Sequence, residues 1–186
     1  MQRNIVVIDT ETTWSDRVMS IGAVIASGEN YEQIDSRYYL IDPEHLSGGM
    51  YSGVLHMVGT PGEIVLPRKE ALEDLVKWLY DNQVDTIMAY NANFDKNHMP
   101  ELSEFRWCDI MRLAAYKQYN HKIPLDAPCC GTGRLRRNYG VEPIYRMLSG
   151  NERYCEKHNG WYDAVDELRI VQMLGHGLDQ YENAVI

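Results

Sequence analysis

The stretch NIVVIDTETT, residues 4–13, constrains the fold more than any other part of the chain. The aliphatic run Ile5 to Ile8 reads as a buried strand. It delivers two carboxylates, Asp9 and Glu11, separated only by Thr10. Side chains alternate along a strand, so both acids project to one side if the strand continues through Thr10. Two anions buried side by side are costly unless compensated. Something positive must sit between them: an arginine, a lysine or a divalent metal. Taken alone, the pattern also fits a turn or a helix cap.

The rest of the chain predicts the company this strand keeps. Residues 18–27 and 31–42 read as two further strands, joined by a tight turn at Gly28-Glu29-Asn30 with the glycine at the permissive position. Residues 43–67 are rich in Gly and Pro and read as a long loop with at most a short helix. Leu72, Leu75, Val76 and Leu79 recur at helical spacing within residues 68–83. A short strand at 85–90, a helix over FDKNHMPELSE interrupted by Pro100, a strand at RWCD and a helix at IMRLAAYKQY follow. TGRLRRNYG reads as a short helix, and residues 161–176 as a long amphipathic one. An antiparallel meander followed by crossover units predicts an α/β fold. Its sheet is mixed and five-stranded, flanked by helices.

Composition narrows the class. The chain has 186 residues, 45% apolar and 24% charged, which suits one domain, residues 1–186, with a full core. No apolar stretch is long enough to span a bilayer, and no secretory signal precedes the first strand. These features predict a cytoplasmic protein without membrane partners. Cys108, Cys129, Cys130 and Cys155 form no CxxC pair and read as reduced thiols. Cys155 and His158 have ligand-like spacing, but zinc needs two more partners. The net charge of −9 opposes nucleic-acid binding at first sight. Yet Arg134 to Lys157 holds six basic residues against three acids. That stretch is either a binding surface or a solvated face.

Two other sites carry acids at structural junctions. Asp95 lies just beyond the strand at 85–90, where ligands of crossover sheets collect. It also suits a cap on the following helix. Phe94 beside it is expected to plug into the core. His158 and Asp163 would diverge by about 140° on one continuous helix. Asn159-Gly160 resolves this as a helix start, so His158 sits on the lead-in loop and folds back toward Asp163. Such a histidine is a candidate general base.

IDTETT, NANFD and HNGWYD together resemble the three motifs of the DEDDh 3′–5′ exonuclease superfamily, which includes RNase T and the proofreading subunit of bacterial replicases. The resemblance spans about residues 5–175 and implies an RNase H-like fold. It further implies a metal-dependent 3′–5′ exonuclease that releases nucleoside monophosphates from single-stranded 3′ ends, with DNA slightly favoured over RNA. Asp9, Glu11 and Asp163 would bind one Mg²⁺ or Mn²⁺, Asp9 would bridge to a second, and Asp95 would support that site. All-carboxylate ligands suit these hard cations. Two ions about 3.5 to 4 Å apart clamp a phosphodiester, which would explain the paired acids of the first strand. His158 would take the proton from the attacking water. It must be neutral to do so, and the rate is expected to fall on the acid side.

The same resemblance places Thr12, Thr13 and Trp14, then Leu55, His56 and Met57, against the terminal nucleotide. Trp14 stands where many relatives have Gly, either stacking on a base or anchoring the loop. Asn91 joins this substrate-side set chiefly by organising the second-motif turn. Asp166 and Glu167 read as a solvated face. Other readings are an RNA-trimming exoribonuclease, a short-oligonucleotide phosphodiesterase, and a non-catalytic scaffold subunit of a nuclease or replication assembly. A homodimer and a polymerase or replication partner also fit the resemblance.

Overall fold

A computed structural model describes residues 3–186. β1 (Asn4–Thr12), β2 (Val18–Ser27) and β3 (Gln33–Asp42) form the antiparallel meander. β4 (Glu63–Pro67) lies parallel to β3. β5 (Val84–Ala89) lies parallel to β1, and β6 (Arg106–Asp109) parallel to β5. The six strands run in the order β4-β3-β2-β1-β5-β6. The sheet is thus mixed as expected, but it has six strands rather than five. β4 was hidden in the Gly/Pro-rich segment because it is short and half-exposed. The open edge of β3 supplies its backbone partners, so pairing overrides a weak local pattern.

Among the described residues, five helices flank the sheet: α1 (Arg68–Asp81), α2 (Asn93–His98), α3 (Met111–Ala114), α4 (Val141–Ser149) and α5 (Gly160–Leu174). A 3-10 turn at Pro100–Leu102 follows α2, as Pro100 predicts. Two expectations fail nearby. The helix over residues 110–119 shrinks to α3, and TGRLRRNYG is not helical. Gly133 (φ +88°) and Asn138 (φ +58°) stand in left-handed conformation there, which no α-helix accommodates. Instead, isolated bridges pair Tyr116 with Arg134 and Cys129 with Leu135. The helix forms one step later, as α4, with Pro143 tolerated in its first turn. In the β2–β3 turn the left-handed residue is Tyr31 (φ +57°), not Gly28. Gly28 is needed for space, since a Cβ there would lie 2.3 Å from the Arg3 carbonyl oxygen.

Alternation along β1 divides the core. Ile5 and Val7 pack with Leu168 and Val171 of α5. Val6 and Ile8 pack with Leu75 of α1 and Trp107 of β6 on the opposite face. Every odd-numbered side chain of β1 therefore points toward α5. No helix among the described residues is long and apolar enough to cross a membrane.

Candidate active site

β1 does continue through Thr10, so Asp9 and Glu11 extend the α5-facing row begun by Ile5 and Val7. Asp9 pairs across the sheet with Gly22 of β2. At that point α5 starts almost on the backbone of the sheet. A Cβ on Gly22 would lie 2.0 Å from the Gly160 carbonyl oxygen, and one on Gly160 would lie 3.0 Å from the Asp9 carbonyl oxygen. Two bare glycines permit this approach. It brings Asp163, in the first turn of α5, over Asp9. One oxygen from each of Asp9, Glu11 and Asp163 lies within 4.8 Å of the others. Asp9 Oδ2 and Asp163 Oδ1 are buried without a hydrogen-bond partner.

Asp95 joins them from α2. Its Oδ1 accepts from the Thr10 backbone N–H (3.1 Å) and from Thr10 Oγ1 (2.7 Å). It does not cap its helix, whose N-cap is Ala92. The acid is instead tied to the strand residue next to Asp9. His158 precedes α5 with φ +54°, a left-handed turn that reverses the chain before the helix. Asn159 caps α5, its side chain accepting from the Tyr162 N–H at 3.3 Å. The reversal brings an imidazole nitrogen within 4.8 Å of carboxylate oxygens of Asp163 and Glu156. The His158 ring stacks on Tyr51, centroids 4.1 Å apart and planes inclined by 11°.

Burial dominates the electrostatics. It raises Asp9 well above the usual carboxylate range, with Glu167, Asp95, Asp163 and Glu11 adding repulsion. Glu11 is pushed up to about 9, first by burial and then by Asp163, Glu156 and Asp95. Burial also lifts Asp163, to about 8, with Glu156 next in effect. Burial lifts Asp95 to about 7 against the opposing hydrogen bonds from Thr10. A carboxylate whose folded value lies above its unfolded one holds a proton in the fold that the unfolded chain has released. Stability contributed by protonation is then complete below the unfolded value, about pH 4, and is lost as pH rises through the folded values. Metal-free protein is therefore expected to melt at progressively lower temperature between about pH 5 and pH 9. Saturating Mg²⁺ should flatten that slope. Melting curves in EDTA that do not change over this range would contradict the crowding.

The residues present fit divalent cations. The cleft around the acids, about 490 Å³, has no lysine or arginine among its described lining residues. Among the described residues, neither orphaned oxygen has a lysine or arginine of the lining against it. Oxygen donors gathered at this density suit hard divalent cations. Cys155 belongs to neither of the acid and histidine groups close enough to share an ion.

Thr12, Thr13, Trp14 and Asn91 line the cleft, whereas Leu55, His56 and Met57 do not. Leu55 is buried beside Met19, Tyr38 and Leu40, and His56 turns outward to Glu63, 3.0 Å away. The wall of that loop is made by Met50 and Tyr51 instead. Trp14 is 72% exposed at the cleft mouth. Phe94 lines the cleft 40% exposed and does not plug into the core. It packs against His98, centroids 4.3 Å apart. Asn91 holds φ +59°, and its N–H donates to Asp109 Oδ1 at 3.0 Å, so it does shape the second-motif turn.

Several residues escaped the sequence reading. Asp166 (4% exposed) and Glu167 (2%) are buried, not a solvated face. Asp166 accepts from Tyr154 Oη at 2.8 Å and from Arg169 Nη1 at 2.7 Å. Glu167 accepts from the Tyr90 N–H at 3.0 Å. Helical spacing alone puts them a turn beyond Asp163, but α5 is wrapped on several sides and has no solvated stripe there. Glu156 lines the cleft, and burial with Glu142 and Asp166 pushes it up to about 6. Its signal was available: on extended backbone it faces the same way as His158, two residues on. Asn159 does more than cap. Its Nδ2 donates to the Val54 and Leu55 carbonyl oxygens (2.8 and 3.2 Å) and to Tyr38 Oη (3.0 Å). That clips the Tyr51 loop to the start of α5.

With this geometry, the fold is that of DEDDh 3′-exonucleases. The nuclease domain of 3′hExo, a DEDDh family member bound to rAMP, superposes with TM-score 0.67 at 14% identity, covering 100% of this chain and 96% of that one. Exonuclease X in complex with 5′-overhanging duplex DNA gives 0.54 at 18% identity, with 93% of each chain covered. E. coli exonuclease I in complex with a dT13 oligonucleotide gives 0.64 at 13% identity, covering 96% of this chain and 42% of that one. No protein-family model and no curated protein sequence matches the chain.

Proposed function

We propose that this chain is a divalent-metal-dependent 3′–5′ exonuclease acting on single-stranded nucleic acid, its described residues serving one active site. The observation that carries the reading is the meeting of Asp9, Glu11 and Asp163 within 4.8 Å, with buried oxygens of Asp9 and Asp163 left unpartnered. Without a cation these buried carboxylates can only take up protons or repel one another; a bound divalent ion lets them stay ionised. Asp9, Glu11 and Asp163 would hold one Mg²⁺ or Mn²⁺, with Asp9 and Asp95 toward a second. When bound, such ions activate water and neutralise charge developing on a phosphate.

The chain's own residues supply the rest. His158, braced against Tyr51, accepts the proton of the attacking water. The water oxygen bonds to phosphorus, the bond from phosphorus to the 3′ oxygen of the preceding nucleotide breaks, that oxygen takes a proton from solvent to become the new 3′ hydroxyl, and a nucleoside 5′-monophosphate leaves. A cleft of about 490 Å³ suits one terminal nucleotide. Trp14 and Phe94 offer exposed aromatic faces at its mouth. The four free thiols suit a reducing compartment such as the cytoplasm.

Digestion of 5′-labelled single-stranded DNA and RNA, with Mg²⁺ and with EDTA, tests the reading. A ladder shortening from the 3′ end, abolished by EDTA, is expected. Internal cuts or metal-independent cleavage would refute it, and the two substrates report sugar preference directly. Two variants test assigned roles. His158→Ala should lower kcat by about 100-fold or more, as loss of a general base does, without moving the half-saturating metal concentration. A large shift in that concentration would make His158 a ligand instead. Trp14→Ala should raise KM for oligonucleotides by about 5- to 150-fold, the loss of about 1 to 3 kcal/mol of stacking. An unchanged KM would leave Trp14 outside the substrate path.

A further inference from the structure

The irregular segment between α3 and α4 carries a charge pattern unlike the rest of the molecule. From Lys117 to Gly140 there are five basic residues and one acid, Asp126, in a chain of net charge −9. All five arginines from Arg3 to Arg106 hold a carboxylate. Among the described residues, no ion pair involves Arg134, Arg136 or Arg137. Their backbone is nonetheless well built. Cys130 N–H donates to the Arg134 carbonyl oxygen at 2.8 Å and Arg136 N–H to that of Pro128 at 3.0 Å. Leu135 is buried between the two arginines, so strand-like alternation turns Arg134 and Arg136 outward together. Arg134 rests on the Tyr139 ring, 4.7 Å from its centroid.

This cationic segment is fastened to the acidic cleft at two points. Tyr90, a cleft residue, donates from its hydroxyl to the Tyr139 carbonyl oxygen at 2.5 Å. Glu142, at the start of α4, accepts from the N–H of Glu156, another cleft residue, at 3.2 Å. Arg136 and Arg137 lie between these anchors and the bridge to Cys129, exposed. Among the described residues, the cleft lining holds no lysine or arginine for a polynucleotide.

We infer that Arg136 and Arg137 form a cationic rim that grips the phosphodiester backbone of the strand leading into the cleft, upstream of the terminal nucleotide. This rests on the exonuclease reading for the site, and it adds where the rest of the strand lies. Arg136, oriented by its Nε donating to the Cys129 carbonyl oxygen at 3.0 Å, and the exposed Arg137 beside it suit successive phosphates, and each phosphate so neutralised steepens the salt dependence of single-strand binding by about 0.7.

The test compares Arg136→Ala/Arg137→Ala with wild type and with Lys69→Ala/Lys77→Ala, which removes two cations of α1. Hydrolysis with Mn²⁺ is measured on the dinucleotide pdTpdT and on dT20 and rU20. Binding of fluorescein-labelled dT20 and rU20 is followed by anisotropy in Ca²⁺ over a salt series. In the rim variant the ratio of kcat/KM on the 20-mer to that on the dinucleotide should fall about tenfold. The slope of log affinity against log salt should lessen by about 1.4. The α1 variant should keep both. An unchanged ratio and slope in the rim variant would overturn the rim and leave the active site standing. Absence of hydrolysis on all three substrates would overturn the exonuclease reading, while the binding slopes would still decide the rim. A drop confined to rU20 or to dT20 would mean the arginines read the sugar or base rather than the phosphates, which also overturns it.

Discussion

Asp9→Asn is expected to reduce kcat by about 1000-fold, about 4 kcal/mol, while raising the melting temperature of the metal-free protein. The two effects have one cause. Asp9 is the most crowded acid of the cluster, held against burial and against the charges of Glu167, Asp95, Asp163 and Glu11. Its Oδ2 has no hydrogen-bond partner. Replacing it by an amide of nearly the same shape relieves the repulsion and so stabilises the apo fold. The same change weakens the cation site proposed for these acids. Stability against function is a common exchange at such sites. The measurements are steady-state hydrolysis with Mn²⁺ and melting curves with EDTA. A melting temperature that falls together with activity would mean that Asp9 serves the fold instead, through a partner that the geometry does not contain.

Gly22→Ala should be the most damaging change outside the acids themselves. The new methyl would sit 2.0 Å from the Gly160 carbonyl oxygen and 2.3 Å from the Trp161 nitrogen. Both are backbone atoms, so no side-chain rotation relieves the clash. Either α5 lifts from β2 or the register of β2 breaks. Overpacking of this kind costs about 3 kcal/mol. Lifting α5 also carries Asp163 away from Asp9 and Glu11, so metal affinity should fall along with stability. Urea denaturation and Mn²⁺ titration of the same preparation separate the outcomes. Ala23→Gly, one residue along and not at the close approach, should lose stability without a comparable loss of metal affinity. Normal metal binding by Gly22→Ala would show that the close approach does not position Asp163.

These two residues also mark what the sequence made legible. The four acids and His158 were legible because each lies at or near the end of a regular element, where strand alternation and the helix start give direction, and because the three motifs that carry them resemble a known set. Asp9 and Glu11 needed only the period of a strand. His158 needed only the helix start at Asn159-Gly160. Gly22 carried no such signal, because a glycine within a buried strand reports on a neighbour that the strand itself does not specify. Asp166 and Glu167 were misplaced for a similar reason. Helical spacing gives a face, but which face meets solvent depends on the elements packed around α5. β4 was missed because its pairing is decided by the edge of β3. The loop before α1 was assigned to the substrate through Leu55, His56 and Met57. Asn159, reaching across to the carbonyls of Val54 and Leu55, turns that loop so that Tyr51 faces the cleft. Long-range hydrogen bonds of this kind leave no periodicity to read.

The acids of β1, α2 and α5 converge, and we propose that they do so to hold divalent ions. Anomalous diffraction from a crystal soaked in Mn²⁺ tests it most directly. Manganese peaks touching carboxylate oxygens of Asp9, Glu11 and Asp163, with a further peak shared by Asp9 toward Asp95, are predicted. Side chains gathered as described with no peak among them after soaking at neutral pH would contradict it.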